Sequence, residues 1–212
     1  MRQESSGPGV PSPWVGEIVG VLLAAGAGTR FGGRKLLQPL SDGVPVGVRS
    51  LRNLKTAMTR IVAVVREGDE ELAAVLRAEG VPVISSKDAW RGMGHSLASA
   101  IASTQDAQGW VVTLGDMPAI DPNTIEMIAR ELRGQQKIVL PEYEGQGGHP
   151  VGFPRHLGAQ LQQLTGDSGA RALIQSHTHD TLRIKVSDPG ILQDVDTASD
   201  LKTLNVPRAP NP

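Results

Sequence analysis

Short apolar runs alternate along the chain with stretches in which apolar residues recur every three or four positions. Runs rich in Val, Ile and Leu predict buried strands, whereas the wider spacing predicts helices with one apolar face. Strands are predicted in EIVGVLLAA, RIVAVVR, VPVISS, GWVVTLGD, KIVLPEY, HPVGFPR and TLRIKVS. Helices are predicted in VGVRSLRNLKTAM, EELAAVLRAEG, HSLASAIAST, DPNTIEMIARELRG, SGARALIQSH and TASDLKTL. This alternation predicts an α/β fold with one doubly wound, mostly parallel, Rossmann-like sheet and helices on both faces.

Residues suited to helix ends mark several boundaries. Asp121 is suited to cap the helix that starts with Pro122, and Gly134 is suited to end that helix. Gly80 is predicted to close the second helix, and Ser96 to begin the third. In a fold of this kind ligands bind beside the carboxyl ends of the strands, so the loops at those ends are the candidates for function.

Length and composition limit the classes of function. The 212 residues suffice for one domain, expected at 17–205, and flexible tails are expected at 1–16 and 206–212. A net charge of −1, from 21 basic and 22 acidic side chains, argues against a nucleic-acid or membrane-surface binder. The chain has no cysteine, no signal-peptide core and no apolar run close to the roughly 18 residues of a membrane span. We therefore expect a cytoplasmic protein without thiol chemistry.

The most informative segment is VLLAAGAGTRFGGRK, residues 21–35, in which a strand runs into a loop dense in glycine and cations. Glycines let backbone N–H groups turn inward, and successive inward amides form a nest for an anion. Arginine and lysine beside such a nest suit phosphate. An ordinary strand-to-helix turn with surface cations is the simpler interpretation, since many such turns contain two glycines. The loop holds Gly26, Gly28, Gly32, Gly33, Arg30, Arg34 and Lys35.

Two common phosphate loops do not fit this segment. The dinucleotide motif G-x-G-x-x-G meets Phe31 where its third glycine is required, and no acidic residue lies about 20 positions further on. The P-loop motif meets Arg34 where its lysine is required, and Lys35 is followed by Leu36 rather than by a residue with a hydroxyl group. A dehydrogenase is therefore disfavoured.

Two later segments offer carboxylates for the magnesium ion that a triphosphate at a catalytic site needs. Asp116 directly follows the strand GWVVTL, at the edge of the sheet where ligands bind. Asp194 and Asp196 are two positions apart in an extended segment, which places them on one side. Taken alone, Asp116 could be an N-cap, and Asp196 or Thr197 could start the last helix. The metal interpretation therefore depends on the glycine loop.

The segment LAAGAGTRFGGRK resembles the signature L-A-[AG]-G-x-x-x-R-[FM]-G-x-x-K of nucleotidyltransferases that activate sugars and cofactors. The resemblance implies that the loop wraps a nucleoside triphosphate and that Arg30 and Lys35 neutralise its charge. The nucleotide-binding residues that it implies in the loop are Leu23, Ala24, Ala25, Gly26, Gly28, Thr29, Arg30 and Lys35.

Members of that family also carry a GDMP segment, which here contains Asp116, and a late acidic segment, which here reads DVDTASDL. The late segment departs from the family at Ala198, where proline is common. The resemblance implies a magnesium site formed by Asp116 and Asp196, with Asp194 as a helper. It implies catalytic roles for Arg30, Lys35 and Asp116.

Three further segments are similar to one branch of the family, the MobA/MocA-type molybdenum cofactor cytidylyltransferases. AWRGMGHSLASAI implies that Gly92, Gly94 and Ser96 border the base and sugar of the nucleotide. Ala25, in LAAG rather than LAGG, is typical of cytidylyl-transferring members, and its methyl group would narrow the space for a purine. GGHPVGFPR and GDSGARALI imply an acceptor site with Gly148, His149 and Arg171.

The resemblance runs from residue 18 to about residue 204. It implies magnesium-dependent transfer of CMP from CTP to molybdopterin or its molybdenum form, with release of pyrophosphate, and a molybdoenzyme apoprotein as recipient of the product. Alternatives are a sugar phosphate or other phosphorylated acceptor, a GTP or ATP donor, and a non-catalytic module that delivers a finished cofactor. The pair His177 and His179 lacks a third ligand at suitable spacing, so it is interpreted as a surface helix end.

Overall fold

One mixed sheet organises the protein, for which a computed structural model describes residues 17–26, 34–133 and 136–204. Its strands are β1 (Ile18–Leu23), β2 (Ile61–Arg66), β3 (Val83–Ser86), β4 (Gly109–Leu114), β5 (Ile138–Tyr143), β6 (Gln146–Gly147), β7 (Val151–Pro154) and β8 (Thr181–Lys185). The helices are α1 (Val46–Ala57), α2 (Glu70–Ala78), α3 (Met93–Ala102), α4 (Pro122–Arg133), α5 (Gly158–Gln162), α6 (Arg171–Ser176) and α7 (Asp200–Thr203).

The order of strands in the sheet is β3-β2-β1-β4-β7-β5, and β8 pairs with β5. β1 is parallel to β2 and β4, β2 is parallel to β3, and β5 is parallel to β8. β7 is antiparallel to both of its neighbours, β4 and β5, and the short β6 is antiparallel to β5. Because Val151 pairs with Val112 near the end of β4, the residues just before β7 lie at the same edge as the carboxyl ends of β1 to β4.

The helices bury their apolar faces on the two sides of the sheet. Leucines and isoleucines of α1, α2 and α4 form one core with side chains such as Leu22 and Val65. Those of α3, α5 and α6 form a second core with side chains such as Val21 and Trp110. Successive residues of a strand point to opposite faces, so Val21 and Leu22 belong to different cores. The predicted architecture, a mostly parallel sheet with helices on both faces, is confirmed.

One of the predicted helix starts is confirmed and another is wrong. Asp121 caps α4, since its Oδ1 accepts a hydrogen bond from the backbone N–H of Asn123 at 2.8 Å. The prediction that Ser96 begins the third helix was wrong, because α3 starts at Met93, directly after Gly92. Gly92 has φ +123°, a backbone conformation that turns the chain into the helix earlier than the serine signal indicates.

Several other predictions concern the ends of elements or the ends of the chain. α6 and α7 begin at Arg171 and Asp200, later than their patterns indicate. Gly134 and the predicted tails at 1–16 and 206–212 lie outside the described residues. Within the described ranges, no helix combines the length and apolar character needed to cross a membrane.

Candidate active site

Two adjacent cavities open at the carboxyl edge of the sheet. The first, here named the loop cavity, has a volume of about 340 Å³ and borders the end of β1 and the start of the glycine loop. The second, the β7 cavity, has a volume of about 540 Å³ and borders the start of β7. A ligand in one cavity would lie next to a ligand in the other, because the two share a wall. The shared wall consists of Leu23, Met93, Leu114 and Asp167.

A lysine and three carboxylates meet beside the loop cavity. The Lys35 ammonium donates to Oδ2 of Asp116 at 2.7 Å and to Oδ1 of Asp196 at 3.1 Å. Carboxylate oxygens of Asp116, Asp194 and Asp196 all lie within 4.8 Å of one another. The structure therefore brings together residues from three distant segments that the sequence analysis assigned to one site.

Buried polar side chains of α1 fix the loop that carries Asp116. The hydroxyl of Ser50 donates to the carbonyl of Gly115 at 2.9 Å. The amide of Asn53 donates to the carbonyls of Pro118 and Ile120 at 2.9 and 3.0 Å. Both side chains are almost completely buried, so their hydrogen bonds exchange little with water and hold the loop firmly.

The segment with the other two carboxylates is tied directly to the Asp116 loop. The backbone N–H of Val195 donates to the carbonyl of Asp116 at 2.8 Å, and the Val195 side chain is fully buried. Asp194 and Asp196 flank this anchor. The carboxylate of Asp200 accepts hydrogen bonds from the backbone N–H groups of Asp196 and Thr197 at 2.8 and 2.6 Å. Asp200 thus orders the turn before α7, a role that the sequence analysis gave to Asp196 or Thr197.

The charges in this cluster act on one another. Burial alone would lower the pKa of Lys35, but hydrogen bonds and the negative charges of Asp116 and Asp196 outweigh it and raise the pKa. Burial raises the pKa of Asp194, and the charges of Asp196 and Asp116 raise it further. Lys35 therefore stays protonated at neutral pH and partly offsets the repulsion among the carboxylates.

The cluster has the composition of a divalent-cation site. Carboxylate oxygens are the preferred ligands of hard divalent cations such as Mg²⁺. The ammonium of Lys35 already bridges two of the carboxylates, so the site accommodates a positive charge between them. Asp116 and Asp196 are thus placed to hold a metal ion, with Asp194 next to them.

The predicted nucleotide-binding residues fall into three groups: those that line the loop cavity, those that are buried away from it and those outside the described residues. Ala24 and Gly94 are buried and do not line the cavity. Gly28, Thr29 and Arg30 lie outside the described residues. The predicted residues that line the loop cavity are Leu23, Ala25, Gly26, Lys35, Gly92, Ser96 and Asp116.

Gly92 and Gly94 allow two backbone segments to pack closely. A Cβ atom on Gly92 would collide with the backbone of Gly166, and one on Gly94 would lie 2.8 Å from the carbonyl oxygen of Thr165. The N–H of Gly94 also donates to the carbonyl of Gly166 at 2.9 Å. The turn before α3 is therefore fastened to the loop between α5 and α6, and Asp167 of that loop belongs to the shared wall.

The three predicted acceptor residues all line the β7 cavity. Gly148 packs so tightly against the Ile191 backbone that a Cβ atom would clash there. The N–H of His149 donates to the Ile191 carbonyl at 3.0 Å. Arg171, the first residue of α6, is exposed at the rim. The β7 cavity therefore joins GGHPVGFPR to GDSGARALI, as expected for one binding site.

The His149 ring is partly inaccessible to solvent. Its Nδ1 is buried and has no hydrogen-bond partner. Burial lowers the pKa of His149, although a hydrogen bond with the backbone of Val112 and the charge of Asp116 act in the opposite direction. The imidazole is therefore neutral at pH 7, and His149 lines the β7 cavity.

Sequence reasoning missed several residues of these cavities. Arg66, at the end of β2, lines the loop cavity, and Arg183 of β8 lines the β7 cavity. Met93 contributes to the shared wall, but in the segment AWRGMGHSLASAI only the glycines and Ser96 were predicted to border the ligand. His177 directly follows the last residue of α6 and is partly exposed, and His179 is exposed, as predicted for a surface helix end.

A mostly parallel sheet with a lysine and clustered carboxylates at its carboxyl edge is the arrangement expected of a nucleotidyltransferase. The chain belongs to the family described as "MobA-like NTP transferase domain", whose pattern matches residues 20–181. The predicted family and enzyme class are confirmed.

Several relatives of known name match much of the chain. Purine catabolism protein PucB from Bacillus subtilis is 27% identical over 191 residues, which cover 85% of this chain and 92% of PucB. Nicotine blue oxidoreductase from Paenarthrobacter nicotinovorans is 27% identical over 88% of this chain and 96% of its own. Molybdenum cofactor guanylyltransferase from Cupriavidus metallidurans is 35% identical over 129 residues, 59% of this chain and 60% of that enzyme.

A solved structure shares the fold, and the same protein has also been solved with a divalent metal. Rv0371c from Mycobacterium tuberculosis superposes with a TM-score of 0.76 at 30% identity, covering 89% of this chain and 97% of its own. The same protein in complex with manganese gives a TM-score of 0.72 at 29% identity, over 88% and 97% of the two chains. Together with the cluster of Asp116, Asp194 and Asp196, that complex supports a divalent-metal site in this chain.

Proposed function

We propose that the protein transfers CMP from CTP to the phosphate of a molybdopterin-type acceptor, using Mg²⁺ and releasing pyrophosphate. The observation that carries the proposal is the shared wall between the loop cavity and the β7 cavity. Donor and acceptor would lie on its two sides, which supplies the proximity on which transfer between two bound substrates depends.

The loop cavity suits the nucleotide donor. Gly26 and Lys35 place the start and the end of the glycine loop on the cavity, and Asp116 lies beside them. Ala25 is buried and lines the same cavity, so its methyl group occupies space that a larger base would need. This supports a pyrimidine donor, CTP.

In the proposed reaction a phosphate oxygen of the acceptor forms a bond to the α-phosphorus of CTP. The bond from that phosphorus to the bridging oxygen breaks, and its electron pair leaves with pyrophosphate. Lys35 would exchange its carboxylate partners for the phosphates and, with Arg30, balance the charge of the leaving group. Asp116 and Asp196 would hold Mg²⁺, which supplies charge neutralisation at the α-phosphate when bound.

The β7 cavity suits an acceptor with an apolar or flat body and an anionic group. Its inner wall includes Leu140, Val151 and Phe153, all buried, and its rim includes Arg171. Guanidinium groups bind phosphate through two parallel hydrogen bonds. A pterin with a terminal phosphate has this combination of properties, and a molybdoenzyme apoprotein would receive the product.

The first test is thermal stability with CTP, GTP, ATP and UTP, each with and without Mg²⁺. A ligand at 100 times its Kd adds about 2.7 kcal/mol to the free energy of unfolding, which is easily measured as a shift in Tm. We expect a metal-dependent shift with CTP alone, and then pyrophosphate release when molybdopterin is added. Equal shifts with all four nucleotides, or none with any, would overturn the assignment of the donor.

A GTP donor is the second candidate, because one relative is named a guanylyltransferase and is 35% identical over its matched region. Ala25→Gly is the variant that separates the two donors. Removal of the methyl group widens the loop cavity, so the variant should gain affinity for GTP while its affinity for CTP changes little. A wild type that already prefers GTP would instead establish the second candidate.

A further inference from the structure

Arg66 is a second cation of the loop cavity, and the proposed reaction does not yet use it. It is the last residue of β2, at the carboxyl edge of the sheet, and it is only partly exposed. It lines the loop cavity and also a smaller cavity of about 70 Å³ that borders Gly26, Arg34 and Lys35. The guanidinium thus lies between the two ends of the glycine loop.

The hydrogen-bonding capacity of Arg66 is largely unused. Its Nε is buried and has no hydrogen-bond partner. Its Nη2 makes one long contact, 3.5 Å to the carbonyl of Ala25. A buried donor without a partner costs free energy, so the buried, unpaired Nε of this partly exposed guanidinium points to a ligand that satisfies it.

Among the described residues, the other arginines that are not exposed have carboxylate partners. Arg49 pairs with Asp42, and Arg60 pairs with Asp106. Within the described residues, Arg66 forms no ion pair. The charge of Lys35, in contrast, is shared between two carboxylates. Arg66 is therefore the cation of the loop cavity with the most positive charge left for an anion.

We propose that Arg66 binds the phosphate chain of the donor nucleotide and holds the pyrophosphate as it leaves. This inference rests on the proposed function, because it takes the loop cavity to be the donor site. Arginine suits the role, since its planar fork of N–H donors matches two oxygens of one phosphate or of neighbouring phosphates. The electron pair of the broken bond stays on pyrophosphate, and Arg66 balances part of that charge.

The test compares Arg66→Gln with Arg52→Gln, a matched control. Arg52 is an exposed arginine of α1 that pairs with Glu79 and lines neither cavity. We would measure the Kd of CTP, CMP and inorganic pyrophosphate by calorimetry, all with Mg²⁺. Arg66→Gln should weaken CTP and pyrophosphate by about tenfold or more, the usual cost of a lost charged hydrogen bond, and CMP by less than twofold. Arg52→Gln should change none of them.

The conservative variant Arg66→Lys tests whether weaker binding by Arg66→Gln results from loss of folding. It keeps the charge but not the fork, so it should recover part of the pyrophosphate affinity and keep the Tm of the wild type within a few degrees. Equal weakening of CTP and CMP would assign Arg66 to the base, the ribose or the α-phosphate, which both ligands share, and would overturn its role at the leaving pyrophosphate. Unchanged affinity for all three ligands would also overturn it.

The same data separate this proposal from the proposed function. If the wild type binds pyrophosphate and Arg66→Gln does not, but no nucleotide binds, then the donor assignment fails and the phosphate role of Arg66 stands. If the wild type binds neither pyrophosphate nor any nucleotide, both proposals fail.

Discussion

The loop cavity and the β7 cavity are neighbours, but they are built in different ways. The loop cavity gathers charged groups, Lys35, Arg66 and Asp116, at the carboxyl ends of parallel strands or in the segments that follow them. The β7 cavity has mostly apolar walls from β4, β5 and β7 and carries its arginines at the rim. One cavity is thus suited to position and neutralise charge, whereas the other is suited to select a shape. Substitutions in one should therefore leave the properties of the other largely intact.

The largest effect is expected from Asp116→Asn, which removes a charge from the loop-cavity side alone. Loss of a metal-binding carboxylate should lower the rate of pyrophosphate release by about 10³-fold, or about 4 kcal/mol of activation free energy. Binding of the acceptor should be unchanged. The matched control is Asp106→Asn, since Asp106 pairs with Arg60 away from both cavities. Release at the wild-type rate by Asp116→Asn would contradict the assignment of the metal site.

A substitution in the turn before α3 should destabilise the fold itself. Gly92→Ala introduces a Cβ that collides with the Gly166 backbone at a residue with φ +123°. The strain and the overpacking together should cost about 3 kcal/mol of the free energy of unfolding, measured in urea. Gly80→Ala is the control for φ alone, because Gly80 has φ +80° and nothing within 4 Å of its Cβ position. Equal losses in the two variants would show that the close packing contributes nothing.

Arg171→Gln should affect the β7 cavity alone. Removal of the rim guanidinium should raise KM for the phosphorylated acceptor by about tenfold, the usual cost of a lost charged hydrogen bond, and leave kcat unchanged. The Kd of CTP should stay as in the wild type. A weaker affinity for CTP would show that the two cavities are not independent. Gln175→Ala is a suitable control, since this residue lines the same cavity without charge.

The smallest effect is expected in the pH dependence of stability, through the buried ring nitrogen of His149. Its pKa is lowered in the folded state, so below about pH 6.5 the unfolded chain binds a proton that the folded chain does not. The stability that this residue contributes is therefore present above the unfolded pKa and is lost as pH falls towards the folded pKa. His149→Gln removes this dependence, and the free energy of unfolding should fall less steeply in the variant between pH 6.5 and 5.5, by at most about 1 kcal/mol, the limit for one imidazole. Parallel curves for the two proteins would contradict the burial argument.

Local motifs of the sequence were enough to predict that the charged residues of the loop cavity lie together, and the reason is physical. Lys35 and Asp116 stand in short motifs whose residues are adjacent in the chain, and each motif follows directly on a strand. The edge of a parallel sheet then brings them together without further information. The predicted partner Asp196 lies beside them because the backbone N–H of Val195 donates a hydrogen bond to the carbonyl of Asp116.

Other parts of the site could not be predicted from local patterns. Arg66 ends a strand that reads like any buried strand, and only the three-dimensional position of its guanidinium distinguishes it. The antiparallel direction of β7, which brings His149 to the ligand-binding edge, is invisible in the alternation of strands and helices. Ser96 was a wrong prediction for the start of α3, because the chain enters this helix through Gly92. The positive φ of Gly92 cannot be predicted from capping propensities.

The close packing of Gly92 and Gly94 against Thr165 and Gly166 has a consequence for protein engineering. A designer who wishes to change the acceptor would graft the loop that carries Asp167 from another enzyme. Any graft that puts a side chain opposite either glycine would push this loop away and deform the donor side as well. The two backbone segments must therefore be exchanged together as a single module.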